Sequence, residues 1–155
     1  MYTTREVPIT PQQTKYYNKL KKDAYMEASN EEVTVVNAAS MLTKLLQVSA
    51  GAVYTDTRQI IEFDITNRLT ALKEIMQEAS HKIAANVVVF WSPVMSVETY
   101  IQCCARIDRA GQKNPMTVVH LLGSPVEHRV YKMLQGKINN HTKLVDLYRE
   151  ELGLS

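Results

Sequence analysis

The sequence predicts an α/β fold, rich in helix, built on a small and mainly parallel sheet flanked by helices. Three observations predict it. Val87-Val88-Val89-Phe90-Trp91 is a continuous apolar run rich in β-branched residues, the pattern of a strand covered on both faces. Thr117–Leu122 is a second such run, and the stretch between them has helical periodicity. Strand, helix, strand over this length is a βαβ unit, whose crossover should be right-handed. Elsewhere apolar residues recur at helical spacing.

Taken in order, Arg5–Ile9 is held extended by Pro8. Thr10-Pro11-Gln12-Gln13 opens a helix, with Thr10 as cap and Gln13 reaching back to it. That helix passes through Tyr17, Leu20, Ala24 and Tyr25. Its Lys15, Lys19, Lys21 and Lys22 could follow a phosphate backbone, although a solvated face is the simpler reading. Ser29–Glu32 breaks it. A second helix is expected from Val35 to Ser49, with Ala38, Met41, Leu42, Leu45 and Leu46 inward and Gly51 as its stop. Gln59–Phe63 is a short strand or an extended linker. A third helix, Asn67 to His81, carries Leu69, Leu72, Ile75, Met76 and Ala79 as its apolar stripe, with Glu74 and Glu78 turned to solvent.

Ser92-Pro93 stops the first strand, Ser96 caps the next helix, and Glu98 lies in its first turn, where the helix dipole favours an anion. That helix is expected to reach Gly111. Ser124-Pro125-Val126-Glu127 reads as a capping box, opening a helix through Val130, Tyr131 and Leu134 to Gly136. A last helix, His141 to Leu152, buries Leu144, Val145, Leu147 and Leu152. The chain reads as one domain, with residues 1–56 a helical lead-in and residues 57–155 the sheet-bearing part.

Composition narrows the function. The 155 residues are 45% hydrophobic and 22% charged, a globular profile, and no apolar run nears the roughly 20 residues that cross a bilayer. The N-terminus has no signal-peptide pattern. Cys103 and Cys104 are adjacent, unlike a metal motif or a disulfide framework, so a reducing cytosolic setting is expected and the two should act as small core residues. His81, His120, His128 and His141 lack metal-site spacing, so no metal ligand is assigned. Net charge is +2, which does not by itself point to nucleic acid. Neither G-x-x-x-x-G-K-[ST] nor G-x-G-x-x-G occurs.

The most informative stretch is QCCARIDRAGQ, Gln102 to Gln112. On a continuous helix Gln102, Arg106 and Arg109 share one face, and two fixed guanidinium groups beside an amide suit phosphate recognition. A plainer reading also exists: cations late in a helix are favoured by the dipole, and Asp108 can pair locally.

This stretch resembles the C-terminal motor lobe of Swi/Snf-like ATP-dependent DNA translocases, within helicase superfamily two. There a helix bearing Q-x-x-x-R-x-x-R-x-G-Q closes the second RecA-like lobe over ATP held by the first. Gln102, Arg106, Arg109, Gly111 and Gln112 fill that pattern. Val89–Pro93 with Glu98, Tyr100 and Gln102, then Thr117–Leu121 and Ser124–Glu127, resemble the segments around it. Arg5–Gln13 and Leu45–Gly51 resemble the approach to the lobe, and the flavour is that of the short phage and bacterial members. The resemblance implies ATP with Mg2+ as cofactor, DNA as partner, a first helicase lobe in cis or in trans, and a bacterial or phage-infected cytoplasm. It implies that Arg106 and Arg109 act as arginine fingers and that Gln102 and Gln112 order the helix against the nucleotide.

The sequence also departs from that family. After the helix matching Thr70–His81, family members have a long stretch with a strand, a DNA-contacting helix and a Ser/Thr/Gly-rich loop. Here His81–Asn86 runs almost directly into Val87–Trp91, so the chain reads as a reduced, internally shortened lobe. The phosphate loop and the magnesium-binding acids of the first lobe are absent from these residues. The expected function is therefore an arginine-finger lobe that is inactive alone. The alternative is a non-catalytic, oligomeric module that binds nucleic acid or protein. Loss of strands should bare the edges of both apolar strands, so a homo-oligomer is expected.

Overall fold

Residues 1–28, 33–81, 86–108, 110–136 and 141–154 are described by the structure, a computed structural model. The breaker at Ser29–Glu32 and one of the two arginines, Arg109, lie outside the described residues.

Three parallel strands form the sheet in the order β1, β5, β4. Strand β1 is Tyr2–Glu6, β4 is Asn86–Phe90, and β5 is Met116–Leu122. The fold is α/β, with a small parallel sheet flanked by helices. Register runs Tyr2 beside Val118 and Glu6 beside Leu122 on one side, and Val87 beside Thr117 and Phe90 beside His120 on the other. Strand β1 was not expected, since only Arg5–Ile9 read as extended. Its position corrects the expected exposure of β5, which is central and has strands on both sides. The chain leaves β1 close against β5: Val7 N donates to the carbonyl of Leu122 at 2.7 Å. A Cβ on Gly123 would sit 1.9 Å from the carbonyl oxygen of Val7, so only glycine fits that crossing.

Helix α1, Pro11–Ala28, starts as its capping box dictates. Gln13 N donates to Thr10 Oγ1 at 3.2 Å and Thr10 N to Gln13 Oε1 at 2.8 Å. Gln13 is itself buried and donates onward to the Val48 carbonyl at 2.8 Å, tying α1 to the next helix. Helix α2, Val35–Ala50, buries Ala38, Leu42, Leu45, Leu46 and Val48. Gly51 closes it at φ 124°, where a Cβ would lie 2.2 Å from Ile65 Cγ2. A small antiparallel pair follows, β2 (Ala52–Tyr54) with β3 (Ile60–Glu62). The second of these matches the weak strand signal, and the first had none.

Helix α3, Thr66–Ser80, is turned relative to its apolar stripe. It buries Arg68, Ala71 and Ile75 and leaves Leu69 and Met76 exposed at 40% and 62%. Glu74 and Glu78 are exposed but not idle, since both pair with Arg5 of β1. Helix α4, Val97–Ala105, joins β4 to β5. Helices α5, Pro125–Gln135, and α6, His141–Leu152, complete the chain.

The larger core lies on the sheet face carrying Phe90, Val118 and Leu122, and it unites α1, α2, α4, α5 and α6. Residues of the 1–56 lead-in, such as Tyr17 and Leu45, share this core with Val126 and Leu134. The other face, with Val87, Val89, Val119 and Leu121, is covered by Ala71 and Ile75 of α3. No helix among the described residues is long and apolar enough to cross a membrane.

Candidate functional site

The Gln102–Gln112 segment begins on a well-made helix. Thr99 N donates to Ser96 Oγ at 3.2 Å, and Glu98 lies in the first turn, as expected. The helix ends earlier than its periodicity suggested. Ala105 is its last residue, and Arg106 caps it at φ −62°, ψ −25°. Ile107 N and Asp108 N then both donate to the Cys104 carbonyl, at 3.3 and 3.2 Å, which tightens the chain into a turn. A β-branched residue, an aspartate and Gly111 at φ 86° follow within five positions of Arg106, and each is a poor helix former.

Within this segment Gln102 and Arg106 lie one turn apart and both are exposed. Gln102 Nε2 donates to Glu98 Oε1 at 3.4 Å. Gln112 is exposed beyond the turn. The inward side is held by Cys104, which is buried beside Tyr2 and Tyr100 and whose thiol burial pushes up above its ordinary pKa. Cys103 is half-buried, so only Cys104 is fully a core residue. Because α4 leads into the start of β5, the arginine-bearing turn lies at the amino ends of the parallel strands.

The carboxyl ends of the strands hold a different polar group, which the sequence did not reveal. Arg68 forms a two-pronged pair with Glu127, both bonds 2.9 Å, and its Nη1 also donates to the Trp91 carbonyl at 2.6 Å. Gly123 N and Ser124 Oγ donate to the same carboxylate at 3.0 and 3.1 Å, and Ser49 Oγ lies 2.7 Å from Ser124 Oγ. The expected capping box is thus altered: Glu127 does reach back, but the Ser124 hydroxyl serves this network instead of capping a helix N–H. Arg68 and Glu127 are both buried, and a charge pair so enclosed and fully bonded is a structural clamp. Its only sequence signal was an acid three residues after Ser124; the partner lies 59 residues away.

A second buried carboxylate, Glu151, receives Tyr17 Oη, Arg129 Nε at 2.9 Å and Lys21 Nζ at 3.4 Å, and so joins α1, α5 and α6. A groove of about 730 Å³ lies between α5 and β1 and carries His128, Arg129 and Lys132. Of these, His128 has Glu6 at 3.5 Å and Arg129 is taken up by Glu150 and Glu151, while Lys132 is exposed.

At the arginine turn Gln102, Arg106 and Gln112 are exposed, and among the described residues no cluster of three or more His, Cys, Asp or Glu side chains could hold a metal ion. Magnesium and the phosphate-cradling backbone would have to come from elsewhere. Comparison with protein-family models, with curated proteins and with solved structures finds no match to this chain. The reading of Gln102–Gln112 therefore rests on those residues and on their setting.

Proposed function

We propose that this chain is a shortened second motor lobe of the Swi/Snf-like kind. It would present Arg106 and Arg109 to ATP bound on a separate lobe that carries the phosphate loop and magnesium. What carries the reading is one observation: the turn bearing Arg106 is exposed, yet it is anchored from behind by the buried Cys104, whose carbonyl accepts from Ile107 N and Asp108 N. An arginine that stabilises a transition state on another lobe needs this combination of reach and fixed footing.

In this scheme the planar guanidinium meets charge that develops on the transferring phosphate, an effect worth about 10³–10⁵ in rate in arginine-finger systems. Gln102 and Gln112 flank the nucleotide. DNA is the track of the assembled motor. The chain by itself lacks the groups that hold ATP, so it should not turn ATP over.

The test is complementation. Purified chain, a purified first lobe of a Swi/Snf-like translocase and duplex DNA are mixed, and phosphate release is measured. The chain alone is expected to be silent, and the mixture to exceed the first lobe alone by at least about 100-fold. R106A and R109A should each abolish that gain while the circular dichroism spectrum is unchanged. A gain indifferent to both substitutions, or steady turnover by the chain alone, overturns the proposal. Salt-sensitive DNA binding by the chain alone, lost in the double variant and without any ATPase gain, would favour a binding module instead.

A further inference from the structure

The two edges of the sheet differ. Strand β1 ends in Arg5 and Glu6, charged residues of the kind that discourage edge pairing. Strand β4 reads Asn-Val-Val-Val-Phe, without a charge, proline or glycine. Among the described residues it pairs with β5 alone, so its outer row of N–H and C=O groups meets no other strand. Val87, Val88 and Val89 are all only half-buried, on both faces of the sheet. An apolar edge without a charge or proline to guard it is a template for strand addition.

A second observation falls on the same side. Helix α3 lies over the sheet face of Val87, Val89, Val119 and Leu121. Its Glu74 and Glu78 reach Arg5, so that flank of α3 faces β1. At 100° per residue, Leu69, Leu72 and Met76 occupy the opposite flank, toward β4. Leu69 and Met76 are the exposed large apolar residues of this helix. The bare strand edge and the bare helix flank are therefore adjacent.

We infer that β4 pairs antiparallel with β4 of a second copy of this chain, giving one six-stranded sheet around a two-fold axis near Val88. The occupant follows from symmetry. Antiparallel pairing that keeps both sheets' faces aligned requires a two-fold axis perpendicular to the sheet, and this brings each α3 to the same side. Strands are about 4.8 Å apart, so helices lying over β4 and β5 stand about 10–14 Å apart across the axis, where leucine and methionine side chains meet. Val87 then opposes Val89 of the other copy beneath the helices, and Val88 opposes Val88 on the other face. One contact satisfies the backbone edge and covers the helix flank together. A foreign strand would satisfy the first and leave the second.

The test uses the full chain without ATP or DNA, so its outcome is separate from that of the arginine proposal. Light scattering across a concentration series should show a species of twice 17.6 kDa. The surface double variant L69E/M76E should raise the dissociation constant at least about tenfold while the far-ultraviolet dichroism stays native. Amide exchange over Val87–Phe90 should slow as wild-type concentration rises, and should lose that dependence in the variant. A monomer at all concentrations overturns the proposal. So does a dimer indifferent to L69E/M76E with unchanged β4 exchange, or β4 protection gained only when a first helicase lobe is added.

Discussion

Glu127 accepts four hydrogen bonds, from two nitrogens of Arg68, from Gly123 N and from the Ser124 hydroxyl, with no exposure to water. Its position was readable as a helix-start acid, but its charge partner was not. Arg68 sat beside an apolar stripe, and stripe reading assigns such a residue to solvent. The low-dielectric interior reverses this, because a carboxylate already buried at the α5 start draws the guanidinium in and turns α3 with it. Removing one member leaves the other charged and enclosed. Glu127→Ala is expected to cost about 3–5 kcal/mol in urea unfolding, whereas the double replacement R68L/E127L should cost clearly less than the sum of its singles. Strictly additive losses would show that the two side chains do not act as a unit.

Elements were legible where local signals were strong. The strand–helix–strand passage from Val87 to Leu122 and the Thr10–Gln13 capping box follow from residue spacing, and the structure has them. Three features were not legible, each for its own reason. Helix α4 stops at Ala105 because Ile107, Asp108 and Gly111 outweigh a periodicity that on paper runs to Gly111. Strand β2 has three residues and exists through its pairing with β3. Strand β1, Tyr-Thr-Thr-Arg-Glu, is polar and half exposed, and it becomes a strand because β5 lies beside it. The consequence is testable. Deleting residues 1–6 should remove its hydrogen bonds at about 0.5–1.5 kcal/mol each and bare β5 to water. Since a domain holds only about 5–15 kcal/mol in total, the truncated chain is expected to aggregate or to lose cooperative unfolding. A truncated chain that unfolds at the full-length urea midpoint would mean that β1 is an accessory.

At the scale of the whole molecule, His120 is where the pieces meet. It is fully buried on central β5, stacked on Tyr131 of α5 at 4.2 Å, with Phe90 of β4 and Tyr2 of β1 around it. Its Nε2 lies 2.9 Å from Tyr100 Oη of α4, and its Nδ1 has no hydrogen-bond partner among the described residues. The sequence placed this histidine within an expected buried strand but did not reveal its ring partners, because only the assembled strands and helices supply them. Burial holds its pKa down to about 4, against 6.5 for an open imidazole. The sign follows from proton counting. Between those values the unfolded chain takes up a proton that the folded chain refuses, so acid favours unfolding. Stability from this group is complete above pH 6.5, falls as pH drops, and is lost by on the order of 3 kcal/mol near pH 4, with no further loss below. Urea midpoints measured at pH 7, 5.5 and 4.5 should therefore decline for the native chain. His120→Gln, which keeps a hydrogen-bonding group but cannot titrate, should start lower at pH 7 and decline much less. Parallel declines in the two proteins would place the acid sensitivity outside His120.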